Sequence, residues 1–91
     1  MLIEGQVWDV HTGCPLAGAE VSCTGPGGRV RAMSDGKGYF RLRLMDAGPW
    51  QVNVHRAPYR EESIGGVLVR DKVFLTFDLQ MEGLEDGPVT A

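Results

Sequence analysis

Ser34 to Leu44 reads SDGKGYFRLRL, a turn followed by a strand. Asp35-Gly36-Lys37-Gly38 supplies an Asp to cap a tight turn and glycines where the backbone takes positive φ. The residues after it alternate strictly, with Phe40, Leu42 and Leu44 on one face and Tyr39, Arg41 and Arg43 on the other. This is a β-hairpin signal. For Val30 and Ala32 of the preceding strand to share the inner face, the loop must hold an odd number of residues. A three-residue loop, Gly36 to Gly38, with Gly38 left-handed, pairs Asp35 with Tyr39, Ala32 with Leu42 and Val30 with Leu44.

The same period of two recurs on both sides of this stretch. Leu2 to Val10 sets Ile3, Gly5 and Val7 against Leu2, Glu4, Gln6, Trp8 and Val10. The cluster His11-Thr12-Gly13-Cys14-Pro15 breaks the chain, and Ala17 to Thr24 follows with Ala19, Val21 and Cys23 inward. Gly25 to Gly28 reads as an exposed loop. Beyond Asp46-Ala47-Gly48-Pro49, Trp50, Val52 and Val54 alternate with Gln51, Asn53 and His55. Ile64 to Arg70 is a weaker strand, and Lys72 to Met81 is regular, with Val73, Leu75, Phe77, Leu79 and Met81 opposed to Phe74, Thr76, Asp78 and Gln80. No window carries a 3.6-residue period. Seven short strands predict an all-β domain, a seven-stranded antiparallel Greek-key β-sandwich of Ig-like layout.

The chain has 91 residues, enough for one domain over residues 1–81, and 82–91 is expected to be a mobile C-terminal tail of Gly, Pro and acidic residues. Twelve Asp and Glu against nine Lys and Arg give no general attraction to nucleic acid or acidic membranes. No apolar run approaches the ~18 residues of a membrane span, and no basic segment precedes an apolar one at the N-terminus, so no membrane insertion is expected. The compartment stays open between cytoplasm and an exported protein trimmed of its signal. With two cysteines, a disulfide between Cys14 and Cys23 is not expected, because Cys23 takes an inward position and Cys14 lies in a polar turn.

Ile3-x-Gly5-x-Val7-x-Asp9, then Thr12-Gly13-x-Pro15-Leu16-Ala17-Gly18-Ala19-x-Val21, then Ser34-Asp35-x-x-Gly38-x-Phe40-x-Leu42, then Gly48-x-Trp50-x-Val52-x-Val54 and Tyr59 form an ordered set. Over about residues 2 to 81 it resembles the carboxypeptidase regulatory-like domain. That resemblance implies a transthyretin-like, prealbumin-type β-sandwich and a role beside a larger catalytic, receptor or surface protein. Ser34 stands where Thr is usual, Trp50 where Tyr is usual, and Ala57-Pro58 where Gly precedes Tyr59, which leaves the bend near residue 58 open.

No reaction follows from this motif. Transthyretin-related hydroxyisourate hydrolases share the fold but carry a His in the first strand and a terminal Tyr-Arg-Gly-Ser; Gln6 and Gly87-Pro88-Val89-Thr90-Ala91 stand in those places here. The Tyr and His iron ligands of intradiol ring-cleavage dioxygenases have no counterpart. His11 and Cys14 lie three apart with no third group to orient the histidine, and His55 faces outward. His11, Cys14, Cys23 and His55 lack the paired spacing of zinc sites, Asp35-x-Lys37 puts a cation where calcium needs oxygen, and Glu61-Glu62 reads as solvated charge. Neither catalytic residues, a metal nor a cofactor is expected.

Two outward sets remain. Leu2, Trp8, Val10 and Phe74 form a candidate protein-contact face, with Trp8 and Phe74 joining in one aromatic patch if the first and last strands are neighbours. Arg29, Arg31, Arg41 and Arg43 form a candidate patch for an anion or acidic partner, since the hairpin register sets Arg31 opposite Arg43, a clash that an acidic neighbour such as Glu20 also relieves. The expectation is a non-catalytic module that docks to a partner protein or subunit, or self-associates as a homo-oligomer, through a sheet face or edge strand. Carbohydrate or small-anion binding, with Trp8 or Tyr39 as a stacking platform, is the alternative, and a divergent hydrolase the third reading.

Overall fold

A computed structural model describes residues 1–81, so the tail expected over 82–91 lies outside the described residues. Seven strands and no helix make two sheets: β1 (Leu2–Asp9), β2 (Glu20–Gly25), β3 (Gly28–Met33), β4 (Tyr39–Arg43), β5 (Gly48–His55), β6 (Glu62–Val69) and β7 (Lys72–Leu79). One sheet runs β4-β1-β7 and the other β3-β2-β5-β6. The expected all-β class and seven strands are met, but the ladders are not all antiparallel, because β1 and β7 pair in parallel from Leu2–Lys72 to Asp9–Leu79.

The period of two is borne out where it matters for burial. Ile3, Val7, Phe40, Leu42, Phe77 and Leu79 reach the core from the three-stranded sheet, and Val21, Cys23, Trp50, Val52, Val54 and Val69 from the four-stranded one. Each such burial contributes about 1.5–3 kcal/mol for the larger apolar side chains. Val30 and Ala32 also pack against this core, as their alternation demands.

The hairpin register is a different matter. Its turn forms as expected: Asp35 N–H donates to Tyr39 O at 2.8 Å, Gly38 N–H donates to Asp35 O at 2.9 Å, and Gly38 has φ +80°. The ladder beyond it does not form. β3 pairs with β2, with Val30 opposite Cys23 and Ala32 opposite Val21, while β4 pairs with β1, with Leu42 opposite Ile3. The two strands therefore face each other across the core instead of lying side by side. Equal inwardness has two solutions, one sheet or two, and local alternation cannot choose between them.

What closes the chain into β2 and β3 is the stretch read as a loop. Gly25 pairs with Gly28 around Pro26-Gly27, and Gly27 has φ +87°, which suits Pro-Gly at the centre of a type II turn. Ser34 then ties the crossing point down, since its hydroxyl donates to Leu16 O at 2.7 Å and accepts from Ala19 N–H at 2.9 Å. At the open bend, the Ala57–Pro58 peptide is cis and Tyr59 is buried, bridging to Met81.

Candidate functional site

The outer face of the three-stranded sheet can be built row by row from its registers. Arg43, Leu2 and Lys72 form the first row, Arg41, Glu4 and Phe74 the second, and Tyr39, Gln6 and Thr76 the third. In the fourth, Trp8 lies between Pro15, which it bridges, and Asp78. These side chains point away from the core because their neighbours Ile3, Gly5 and Val7 point into it.

Glu4 is the electrostatic centre of the face. Arg41 approaches it at 2.8 Å from one flanking strand and Lys72 at 3.4 Å from the other. Arg41 chiefly holds the Glu4 carboxyl below its ordinary range; partial burial opposes this and Lys72 adds to it. Gln6 Nε2 donates to Lys37 O at 2.8 Å, so its amide anchors the turn before β4. Between this face and the β3–β4 corner, Glu4, Met33, Asp35, Tyr39, Arg41 and Phe74 line a groove of about 610 Å³.

The candidate contact residues are distributed over this face. Phe74 is 57% exposed, Leu2 is half-buried between Arg43 and Lys72, Trp8 is half-buried beside Pro15, and Val10 follows β1 at 50% exposure. β1 and β7 are neighbours, yet Trp8 and Phe74 do not merge. Trp8 lies opposite Asp78 and Phe74 opposite Glu4, four residues along the ladder, or about 13 Å.

The four-arginine patch is divided by the same correction that separates β3 from β4. Arg29 and Arg31 lie on the outer face of the four-stranded sheet, opposite Thr24 and Ser22, and Arg31 pairs with Glu20 at 3.1 Å. Arg41 and Arg43 lie on the other sheet, opposite Glu4 and Leu2. Arg31 and Arg43 never oppose each other. The acidic neighbour Glu20 is present as anticipated.

The histidines, Cys14, Glu61 and Glu62 are all exposed and do not converge. Among the described residues no group of three His, Cys, Asp or Glu side chains could hold a metal ion. Both thiols are free, and burial pushes the Cys23 thiol up to about 11. No helix among the described residues is long and apolar enough to cross a membrane.

A polar pair at the other end of β1 was not foreseen as a pair. Asp9 is buried and accepts from Tyr59 Oη at 2.6 Å and from the backbone N–H groups of His11 and Thr12 at 2.8 and 3.1 Å. Its role as a turn acceptor was readable; its partner, 50 residues away, was not. The signal available was a Tyr in an otherwise polar bend, whose hydroxyl needs a partner once buried.

This pair sets a pH dependence. Tyr59 foremost, then the Thr12 amide, holds the Asp9 carboxyl below its ordinary range, and the bond to Asp9 raises the Tyr59 hydroxyl. The Asp9 contribution to stability is therefore complete above the unfolded value of about 4 and is lost as pH falls through the lower folded value. The Tyr59 contribution is complete below about 10 and is lost as pH rises through the higher folded value. Urea unfolding across pH should show Tyr59→Phe less stable than wild type at neutral pH, with the gap closing in acid. An unchanged gap in acid would mean that Asp9 is not the group responsible.

Comparisons with known proteins agree with this architecture. The model of the carboxypeptidase regulatory-like domain matches residues 2–82. No curated protein matches the chain. Among solved structures, the 5-hydroxyisourate hydrolase of Klebsiella pneumoniae is similar at a TM-score of 0.72 and 16% identity, over 91% of this chain and 93% of that one. A chain of a type II cohesin–X-dockerin complex from Acetivibrio cellulolyticus aligns at 0.65 and 23% identity, over 96% of this chain and 65% of the other. A proposed carbohydrate-binding protein from Bacteroides uniformis aligns at 0.67 and 15%, over 86% of this chain and 40% of its own. At these identities the likenesses show a shared sandwich fold, transthyretin-like in the hydrolase. The family match spans nearly every described residue, and the chain belongs to the carboxypeptidase regulatory-like domain family.

Proposed function

We propose that this domain is a non-catalytic interaction module that docks to a partner protein, or to a second copy of itself, through the outer face of β4-β1-β7. The observation that carries the reading is Phe74, which stands 57% exposed in the middle of a regular strand. An aromatic ring in that setting loses unfavourable contact with water when a partner covers it. Leu2 and Trp8 on the same face and Val10 at its end extend the apolar surface, and Arg41, Arg43 and Lys72 on the flanking strands supply the polar contacts of an interface rim around Glu4. The cohesin–X-dockerin likeness supports this reading, since that structure is a protein complex built with the same type of sandwich.

The test compares wild type with a Trp8→Ala, Phe74→Ala variant as bait in the source cell's extract. A protein retained by wild type and lost from the folded variant supports the docking face. Equal retention by both removes it, and retention by neither removes a different protein as the partner and leaves only a second copy.

One observation favours a second reading. Tyr39, 46% exposed, and Phe74 line the groove together with Glu4, Asp35 and Arg41, which places aromatic faces beside hydrogen-bonding groups as a carbohydrate site requires. Titrating neutral and acidic oligosaccharides while following chemical shifts should move Tyr39 and Phe74 together if sugar binds there. A flat response across the panel leaves the groove to protein.

A further inference from the structure

We infer that this face is self-complementary and that its partner is a second copy of the chain, stacked face to face with the strands of the two copies antiparallel. The inference rests on the docking reading above and narrows it to one occupant.

The register carries the argument. Lys72 and Asp78 stand at opposite ends of β7, six residues or about 20 Å apart, so they cannot neutralise each other within one chain. Asp78 is exposed, and no ion pair reaches it among the described residues. A two-fold axis lying across the strands at the level of Gly5 and Leu75 brings residues equally far above and below that level together. Lys72 then faces the Asp78 of the second copy, twice per dimer. Leu2 faces Trp8, apolar against apolar. Glu4 faces Gln6, Phe74 faces Thr76, and Arg41 faces the ring of Tyr39, where a guanidinium is favourable.

The other simple stack, with parallel strands, fails on charge. It opposes Glu4 to Glu4 and Arg43 to Lys72, with like charges across the interface at both positions. Of the two stacks, only the antiparallel one sets Lys72 against an opposite charge, that of Asp78.

The size of the face sets the strength. Three strands about 4.8 Å apart and eight residues at about 3.3 Å each make a patch roughly 14 Å by 26 Å. Two such patches bury less than about 1,200 Å², in the range of weak, reversible complexes. The dimer is therefore expected only in concentrated solution.

Sedimentation equilibrium over a concentration series up to about 1 mM decides the matter. Wild type should shift from monomer to dimer. Asp78→Lys and Lys72→Glu should each weaken association by on the order of tenfold, through two repulsive pairs per dimer, and Asp78→Lys with Lys72→Glu together should restore it. Thr76→Arg, at an exposed strand position facing Phe74 of the other copy, should abolish it, and keeps the test decisive if Lys72→Glu is disturbed by its neighbour Glu4. A wild-type monomer throughout overturns the inference while leaving docking to a different protein to the bait experiment. A dimer that ignores Asp78→Lys and Thr76→Arg overturns it by placing the contact elsewhere, and a double exchange that fails to rescue overturns the antiparallel register.

Discussion

Gly5→Ala should cost about 3 kcal/mol or more, at the upper end of the range for overpacked cores, and lower the melting temperature by roughly 12–25 °C. Gly5 sits in the central strand of the three-stranded sheet, opposite Phe40 on one side and Leu75 on the other. An added methyl would meet the Leu75 carbonyl oxygen well inside contact distance and lie 2.5 Å from Phe40 Cζ. The first is backbone in the β1–β7 ladder and cannot move without breaking hydrogen bonds. The second is a ring held in place by Phe77, at a centroid distance of 6.2 Å. Neither neighbour has a cheap way to yield, so the strain falls on the pairing that builds the candidate docking face. Gly65→Ala is the control, because nothing lies within 4 Å of that position, and its effect should stay within about 0.5 kcal/mol. Urea unfolding followed by circular dichroism measures both. A loss below about 1 kcal/mol for Gly5→Ala would show that Phe40 repacks freely and that the close approach is not required.

The division between what the chain's alternation reveals and what it conceals has a physical cause. Which side chains of Leu2–Asp9 or Tyr39–Arg43 face the core is decided within each strand by a period of two, and those assignments hold. Which strand lies beside which is decided by packing over long separations. Glu4 and Arg41 meet across 37 residues, and Asp9 and Tyr59 across 50. The Asp35–Tyr39 turn illustrates the limit, since its hydrogen bonds are those of a hairpin while its flanking strands enter different sheets. The surface inherits that limit. Four arginines of one local alternation became two pairs on opposite faces, and two aromatics on neighbouring strands stayed about 13 Å apart because parallel pairing fixed their offset. Met33, 61% exposed at the groove, follows from parity alone: it falls on the outward phase, opposite to the inward Val30 and Ala32.

Trp50→Ala should cost about 3–5 kcal/mol, a large part of the stability of a domain this small. Trp50 is 2% exposed, its indole N–H donates to Asp46 O at 3.1 Å, and its ring lies over Gly25, where a Cβ would approach Trp50 Cδ2 to 2.5 Å. The indole thus fills the space that a glycine in β2 leaves open, and joins the β4–β5 turn to the β2–β3 hairpin. Removing it empties a cavity that neither glycine nor backbone can fill. Trp50→Phe keeps most of the apolar burial and loses the donor, so about 1–2 kcal/mol is expected. Trp8 offers the contrast within one molecule. Half-buried on the outer face, it should cost no more than about 1 kcal/mol when replaced by Ala. Denaturant titrations of Trp50→Ala, Trp50→Phe and Trp8→Ala should therefore rank in that order, largest loss first. The ranking matters for function as well as stability: loss of association in Trp50→Ala would only report unfolding, whereas loss in a folded Trp8→Ala, Phe74→Ala variant reports the surface itself. Equal destabilisation by Trp8→Ala and Trp50→Ala would place Trp8 in the scaffold and take it out of the docking face.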